Sequence, residues 1–177
     1  MLDEVQKKYI DFLKAEPYKV ANWLGFSGIT KDLHNEWIKS LVFGKKDWTL
    51  QAHRGSYKTT CVSVAFAIYM ILHPNRNIIF MRKTDDDVTE IIEQVRKILE
   101  SDVLRYITFK IYRKDLKIIK SNSNEITTNL SDTTRGAVQL LGLGIKGSLT
   151  GKHAYWVHTD DIVNIKDRVS RAEREYT

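Results

Sequence analysis

The chain contains little cysteine and little proline, and it has no long uninterrupted run of apolar residues. Among its 177 residues there are one cysteine and two prolines. The single cysteine, Cys61, excludes an internal disulfide framework and a metal site built from several cysteines. No apolar run approaches the roughly 18 residues that a membrane-spanning helix needs, and residues 1–4 lack the pattern of a signal peptide. We therefore expect a cytoplasmic protein with no membrane partner.

The bulk composition is that of a folded globular domain. Hydrophobic residues make up 42% of the chain, charged residues make up 28%, and there is no low-complexity tract. These proportions argue against a disordered chain, and the length suits a single domain with its own core. The net charge of +6 suits a polyanionic partner such as nucleic acid. A basic domain without such a partner has the same charge, so both alternatives stay open.

Hydrophobic spacing predicts a helical lead-in at residues 1–45, followed by an α/β core at residues 46–177. The predicted helices fall at residues 3–14, 17–25, 30–44, 59–72 and 84–99. The predicted strands fall at residues 47–50, 77–81, 107–112, 116–119, 125–130, 137–141 and 154–159, the last of them buried. Alternating strands and helices at the start of the core argue for a mainly parallel sheet flanked by helices.

Residues 51–60 form a loop between a predicted strand and the apolar helix, with the sequence Gln-Ala-His-Arg-Gly-Ser-Tyr-Lys-Thr-Thr. A strand, a tight loop and a helix that begins with Lys-Thr resemble a P-loop, whose backbone N–H groups cradle phosphates. Ala52 and Tyr57 occupy positions where a P-loop usually has glycine, so only Gly55 reaches positive φ easily. The loop alone leaves open both nucleotide binding and a Lys-Thr helix start without function.

Two adjacent carboxylates, Asp160 and Asp161, follow the predicted strand at residues 154–159. A P-loop needs such a group, because Mg²⁺ is held by the loop hydroxyl and by an aspartate at the end of another strand. Thr59 and Asp160 have the residue types for these roles, and Asp161 has that of a base that activates water. A turn or a helix cap is the alternative for Asp-Asp in isolation. Loop and carboxylates together favour nucleotide hydrolysis.

The order of these motifs resembles the ATPase part of phage terminase large subunits, the motors that drive DNA into procapsids. The resemblance extends from about residue 30 to the end of the chain, and its elements are residues 51–60, 77–83, 144–151 and 157–163. The Gly-Ser-Leu-Thr-Gly stretch at residues 147–151 is its most specific part, because P-loop enzymes in general do not share it. The resemblance implies a P-loop NTPase fold of the RecA-like (ASCE) class, with ATP and Mg²⁺ as cofactors.

The resemblance also implies catalytic roles for individual residues. Lys58 would contact the β- and γ-phosphates, and Asp161 would take the position of the catalytic carboxylate. Thr59 and Asp160 would hold Mg²⁺. Arg54 would act on the γ-phosphate or in loop closure, with a solvent-facing loop arginine as the alternative.

The predicted nucleotide-binding residues lie in the loop and in the helix before it. The loop set consists of His53, Arg54, Gly55, Ser56, Tyr57, Lys58, Thr59 and Thr60. By the resemblance, His34 or Asn35 would hydrogen-bond the adenine base, whereas Trp37 is expected in the core. His53 and His158 are predicted to be structural rather than catalytic, and the spacing of the histidines does not indicate a zinc site.

The partners implied by the resemblance are double-stranded DNA, a terminase small subunit, a portal protein and further copies of the chain in a ring on the portal. The protein would belong to a phage or prophage and act in the cytoplasm of the bacterial host. A basic tail with Lys166, Arg168, Arg171 and Arg174 and a predicted hairpin turn at Arg113-Lys114 are candidates for DNA contact, with solvated basic faces as the alternative.

The chain ends soon after Asp161, so we expect a core truncated after the Asp-Asp strand, without a nuclease domain and with weak hydrolysis of its own. Two other functions fit the same motifs. One is a different P-loop motor on nucleic acid, such as a helicase-like or recombination ATPase. The other is a non-hydrolysing nucleotide-binding or assembly module, a P-loop relic that docks to a small terminase subunit or a portal protein. Mg²⁺-dependent ATP binding would separate both motors from such a relic.

Overall fold

The computed structural model describes residues 2–133, 138–147 and 151–162. Within these ranges the helices are α1 (Glu4–Ala15), α2 (Tyr18–Trp23), α3 (Lys31–Phe43), α4 (Lys58–Leu72), α5 (Asp85–Glu100) and α6 (Asp102–Tyr112). The strands are β1 (Ile78–Arg82), β2 (Ile118–Ser121), β3 (Glu125–Thr128), β4 (Leu140–Gly144) and β5 (Trp156–Thr159). The predicted α/β class is confirmed. None of the helices in the described ranges is long and apolar enough to cross a membrane.

The chain divides into two compact units. One unit consists of Met1–His73 and Val95–Lys117, and the other consists of Pro74–Gln94 and Ile118–Thr177. The first unit contains the helices α1, α2, α3, α4 and α6, and the second contains the strands. Helix α5 belongs to the second unit up to Gln94 and to the first unit from Val95.

Helix α4 forms the centre of the first unit, where it packs against α2 and α3. Every residue from Cys61 to Ile71 is buried, because the apolar side chains surround the helix on all sides. The prediction of a buried helix after the loop is therefore confirmed. Burial also raises the pKa of the Cys61 thiol from 9.0 to about 12, since an ionised thiolate would lose its hydration there.

The prediction of a strand at residues 107–112 is wrong, because these residues form the second half of α6. The helix begins after Ser101, whose hydroxyl accepts a hydrogen bond from the Leu104 N–H at 3.3 Å. Its buried positions are spaced three and four residues apart, namely Leu104, Ile107, Thr108 and Ile111. This helical period overrides the β preference of isoleucine, threonine, phenylalanine and tyrosine.

The predicted hairpin turn at Arg113-Lys114 is also wrong, since Arg113 is the left-handed residue that ends α6, with a φ of 55°. Its guanidinium pairs with the Asp3 carboxylate at 2.9 Å. Asp3 caps α1, because its carboxylate accepts a hydrogen bond from the Gln6 N–H at 2.8 Å. That bond and the Arg113 guanidinium lower the pKa of Asp3. Arg113 thus joins the end of α6 to the start of α1.

The second unit is built on a five-stranded sheet in the order β2-β3-β4-β1-β5. Strand β1 is parallel to both β4 and β5, whereas β3 is antiparallel to β2 and to β4. The prediction of a mainly parallel sheet is therefore wrong, and the sheet is mixed. One cause is the tight turn between β2 and β3, which is closed by the hydrogen bond from the Asn122 N–H to the Glu125 carbonyl at 3.1 Å. A short turn can join only antiparallel strands.

Two further strand predictions need correction. Residues 47–50 form no strand; Asp47, Trp48 and Thr49 are exposed, so burial does not stabilise an extended conformation there. Strand β5 was expected to be buried, but it alternates between half-buried and exposed residues. It lies at the edge of the described sheet, where β1 is its one neighbour.

Gly142 in β4 allows close packing of α5 on the sheet. A Cβ atom on Gly142 would lie 2.2 Å from Cγ1 of Val88 and 3.4 Å from two side-chain atoms of Ile92. Two residues further along, the Gly144 N–H donates to Oδ1 of Asp85 at 2.8 Å. These two contacts fix the start of α5 against the end of β4.

Candidate functional site

Two residues in the loop ahead of α4 adopt left-handed backbone conformations. Gly55 has a φ of 83°, and Tyr57 has a φ of 58°. Between them, the Ser56 N–H donates to the His53 carbonyl at 3.3 Å. Left-handed residues in a tight turn direct successive N–H groups to one side, which is the geometry of backbone nests that bind anions. The loop thus contains two left-handed residues of the kind found in such nests.

The first turn of α4 adds positive potential to this loop. The first hydrogen bond within the helix runs from the Cys61 N–H to the Tyr57 carbonyl at 2.9 Å, and the N–H groups ahead of it point out of the helix end. This turn contains no acidic residue, and it begins with the half-buried Lys58. The positive end of the helix dipole and the lysine ammonium both favour an anion at this position.

Tyr57 adopts the left-handed conformation although it carries a side chain. Its ring lies over Gly28, where an added Cβ would be 2.6 Å from the ring and from the hydroxyl oxygen of Tyr57. The ring also meets that of His34 edge-on, with 6.1 Å between the centroids and 87° between the planes. Contacts with the turn at Gly28 and with His34 in α3 thus accommodate this side chain.

His34 connects the loop to the start of α3. It is 5% exposed, and its Nδ1 accepts a hydrogen bond from the Thr30 N–H at 2.9 Å. Because Nδ1 is an acceptor, the neutral ring carries its proton on Nε2, which donates to the Ser56 carbonyl at 3.1 Å. Both ring nitrogens are therefore bonded within the protein.

Asn35, the other residue predicted to contact adenine, also has protein partners. Its Nδ2 donates to the Ala15 carbonyl at 3.1 Å, and its Oδ1 accepts from the Tyr18 N–H at 3.4 Å. A hydrogen bond from His34 or Asn35 to an adenine base would have to replace one of the bonds described here. The adenine role of these residues stays a prediction.

The other predicted loop residues differ in their exposure. His53 and Arg54 are exposed, and the His53 Nδ1 donates to the Arg54 carbonyl at 2.8 Å. Thr59 and Thr60 are half-buried. Ser56 is 7% exposed, and its hydroxyl has no hydrogen-bond partner among the residues that the structure describes. A buried hydroxyl without a partner costs free energy.

The second unit presents charged groups where β1 and β5 end. Arg82, the last residue of β1, donates to Oδ2 of Asp160 from Nη2 at 2.9 Å and from Nε at 3.2 Å. The side chains are 13% and 6% exposed, so water screens the pair weakly. The Asp160 N–H continues the sheet pairing by donating to the Met81 carbonyl at 2.9 Å. Asp161 follows in a left-handed conformation with a φ of 46° and is exposed.

The predicted site residues thus fall into two groups. The loop residues and His34 belong to the first unit, and Asp160 and Asp161 belong to the second. Residues 148–150, in the most specific stretch of the resemblance, lie outside the described residues, and so does the basic tail with Lys166, Arg168, Arg171 and Arg174. Within the described ranges, no group of three or more histidine, cysteine or acidic side chains could hold a metal ion.

Arg82 is not among the residues predicted from the sequence. The sequence does contain a pattern that indicates this residue. Arg82 follows the apolar residues of β1, and Asp160 follows β5. The carboxyl ends of neighbouring parallel strands meet at one edge of a sheet. A basic residue and an acidic residue at two such ends are therefore expected to form a pair.

No known protein family, curated protein or solved structure matched the chain when it was compared with each of these sets.

Proposed function

We propose that the chain is an ATP-binding and ATP-hydrolysing domain of the kind found in the large subunits of phage terminases. The observation that carries the proposal is the loop before α4, where Gly55 and Tyr57 are left-handed and Lys58 begins the helix. This arrangement provides convergent N–H groups, a helix N-terminus and an ammonium group, which together suit a nucleotide phosphate chain. The unpartnered Ser56 hydroxyl adds a polar group to the same loop.

A P-loop NTPase fold is part of this proposal. The parallel strands β4, β1 and β5 support it, since Asp160 and Asp161 follow β5 at the carboxyl edge of that group. Acidic residues at this edge are where such enzymes place their metal ligand and base. The irregular segment at residues 47–50 departs from the fold, in which a strand precedes the loop.

In the proposed mechanism, the loop N–H groups and Lys58 bind and orient the phosphates. Mg²⁺, when bound, supplies charge neutralisation at the phosphate oxygens, and the Thr59 hydroxyl and the Asp160 carboxylate are the groups that would hold it. Asp161, which is exposed, would accept a proton from the attacking water, and Arg54 would stabilise negative charge on the γ-phosphate.

A nucleotide-binding module without hydrolysis is the second candidate, and the Arg82–Asp160 pair favours it. Both hydrogen bonds from Arg82 end on Oδ2 of Asp160, so a guanidinium already neutralises the carboxylate that a metal would use. A neighbouring cation weakens the attraction of a carboxylate for Mg²⁺. In this second candidate, the chain would bind a nucleotide through the first unit without hydrolysing it.

By the same proposal, the partners are double-stranded DNA, a terminase small subunit, a portal protein and further copies of the chain, and the site of action is the host cytoplasm. A different P-loop motor on nucleic acid would share the loop and the acidic pair. The order of motifs from residue 147 to Asp161 favours the packaging motor over that alternative.

Calorimetric titration with Mg·ATP tests the proposal through two lysine variants. Lys58→Ala should weaken binding by about tenfold or more, because it removes the charge that meets the phosphates. The matched control is Lys39→Ala on α3, whose ammonium pairs with Glu36 at 2.9 Å and which should bind as the unmodified protein does. Unchanged affinity in Lys58→Ala would refute the phosphate cradle.

Turnover measurements separate the two candidates. If the chain is an ATPase, Asp161→Asn should abolish phosphate release and leave the affinity for Mg·ATP intact, because the carboxylate acts on water and not on the nucleotide. If the chain is a nucleotide-binding module without hydrolysis, the unmodified protein should bind Mg·ATP and release no phosphate. Turnover retained by Asp161→Asn would remove this residue from the mechanism.

A further inference from the structure

We propose that His34 is a positioning residue that holds the loop in its anion-binding shape through the Ser56 carbonyl. The inference deepens the proposed function and rests on it for the identity of the anion, a nucleotide phosphate. His34 needs no contact with the nucleotide in this role. This role rests on the hydrogen bond from His34 to the Ser56 carbonyl, and not on the predicted contact between His34 and adenine.

The direction of the His34 ring is fixed from the side of α3. Thr30 precedes the helix in an extended conformation, and both its N–H and its hydroxyl lie within hydrogen-bond distance of Nδ1, at 2.9 Å and 3.2 Å. The N–H can only donate, so Nδ1 is the acceptor and Nε2 carries the proton. The ring therefore donates its hydrogen bond from Nε2, toward the loop.

The bond from His34 to Ser56 determines where the next N–H points. The Ser56 carbonyl and the Tyr57 N–H belong to one planar trans peptide, in which C=O and N–H point in opposite directions. Because Nε2 draws the carbonyl toward α3 at 3.1 Å, the Tyr57 N–H is turned the other way. This N–H meets no acceptor within the described part of the chain. A backbone donor aimed away from the protein body at the start of a helix is the group that a phosphate oxygen would accept from.

The Tyr57 ring provides a second restraint on the same peptide. A left-handed conformation is unfavourable for a residue with a Cβ, and the contacts of the ring with Gly28 and His34 offset that cost. A side chain at position 28 would displace the ring, because its Cβ would lie 2.6 Å from the outer atoms of Tyr57. His34 and Gly28 therefore act on the loop from the same side.

Two substitutions at His34 separate the bond to the loop from the bond to Thr30. His34→Gln retains a donor close to the position of Nε2, whereas His34→Asn retains a polar atom close to that of Nδ1 and loses the donor to Ser56. Both variants remove the ring, so they form a matched pair. His34→Asn should weaken Mg·ATP binding by about tenfold, and His34→Gln should stay within about threefold of the unmodified protein.

A measurement without nucleotide tests the positioning role independently of the proposed function. The Tyr57 amide should shift its NMR resonance and exchange its hydrogen at a different rate in His34→Asn, and His34→Gln should restore both. Thermal unfolding of each variant checks that the first unit is folded. Gly28→Ala, which displaces the Tyr57 ring without touching His34, should perturb the same amide.

The outcomes are distinct. If the unmodified protein binds no Mg·ATP, the proposed function fails, while the amide measurements still decide whether His34 positions the loop. If His34→Asn leaves the Tyr57 amide unchanged, the positioning role is wrong. If His34→Gln and His34→Asn lose affinity equally, the ring and not the Ser56 bond is what matters, which also overturns the inference.

Discussion

The guanidinium of Arg82 and the carboxylate of Asp160 form a pair in which both hydrogen bonds, at 2.9 Å and 3.2 Å, end on Oδ2 of the aspartate. The two residues lie at the carboxyl ends of the neighbouring strands β1 and β5. Because both side chains are largely removed from water, each charge depends on the other. The pair thus links the edge strand β5 to its neighbour β1 at the position where the predicted metal ligand lies.

Replacing Arg82 should destabilise the protein strongly. Arg82→Met leaves the Asp160 carboxylate largely buried and without the Arg82 guanidinium. Removing one partner of a buried ion pair lowers the unfolding free energy by about 3–5 kcal/mol. Urea denaturation measures the change. The double substitution Arg82→Met with Asp160→Leu should recover most of the loss, because it removes both charges.

A more exposed pair provides the control. Lys39 and Glu36 on α3 lie 2.9 Å apart, and their side chains are 36% and 66% exposed. Lys39→Met should therefore change the unfolding free energy by about 1 kcal/mol or less. If Arg82→Met lowers the unfolding free energy by no more than Lys39→Met does, Arg82 does not stabilise Asp160 in the way that the geometry indicates.

A second prediction concerns the contact between Gly142 in β4 and Val88 in α5. Gly142→Ala places a methyl group 2.2 Å from Cγ1 of Val88, and such overpacking typically costs about 1–3 kcal/mol. Adding Val88→Ala removes the colliding atom. The double variant should therefore be more stable than the sum of the two single changes predicts, as measured in a double-mutant cycle by urea denaturation. Simple additivity would show that the two residues do not meet.

The helices could be predicted from the sequence because their signals are local. The spacing of apolar residues and the capping residues at each end decide where a helix lies, and the predicted helices match α1 to α5 within two residues or so at most ends. The strand predicted at residues 107–112 failed because β-branched and aromatic residues can also line a helix face. Ile107 and Ile111 are four residues apart and both buried in α6.

The mixed sheet and the details of the site depend on contacts between distant residues. The antiparallel start of the sheet follows from the turn at Asn122 and from the pairing of β3 with β4, which no local pattern determines. Residue type and spacing were enough to propose Lys58, the two threonines after it and the Asp160-Asp161 pair as site residues. They did not indicate the contact of Tyr57 with Gly28, because the two residues are separated by the whole of α3.

A third prediction concerns the backbone conformation of Tyr57. Tyr57→Gly and Tyr57→Ala both remove the ring, and they differ only by one Cβ in a left-handed conformation. Tyr57→Gly should therefore be the more stable of the two, by about 1 kcal/mol in urea denaturation. At the exposed helical residue Lys8 in α1, the order should reverse, because alanine favours a helix over glycine by about 1 kcal/mol. The same order at both positions would contradict the left-handed assignment of Tyr57.

The last prediction concerns the thiol of Cys61, which is fully buried in α4. Burial raises its pKa from 9.0 to about 12, so the folded protein contains almost no thiolate at pH 8. A disulfide reagent such as 5,5′-dithiobis(2-nitrobenzoate) should therefore react slowly with the folded protein and rapidly in urea. Rapid labelling of the folded protein at pH 8 would mean that α4 is open to solvent.

The raised pKa also predicts how stability depends on pH. The stabilising contribution of the protonated thiol is fully present below about pH 9, and it decreases as the pH rises toward 12, because only the unfolded chain ionises in that interval. Between pH 8 and pH 10.5 the loss from this group is about 2 kcal/mol. Lysines and tyrosines titrate in the same range, so the measured quantity is the difference between the unmodified protein and Cys61→Ala. Equal losses of unfolding free energy in the two proteins would show that Cys61 ionises as easily in the folded state as in the unfolded one.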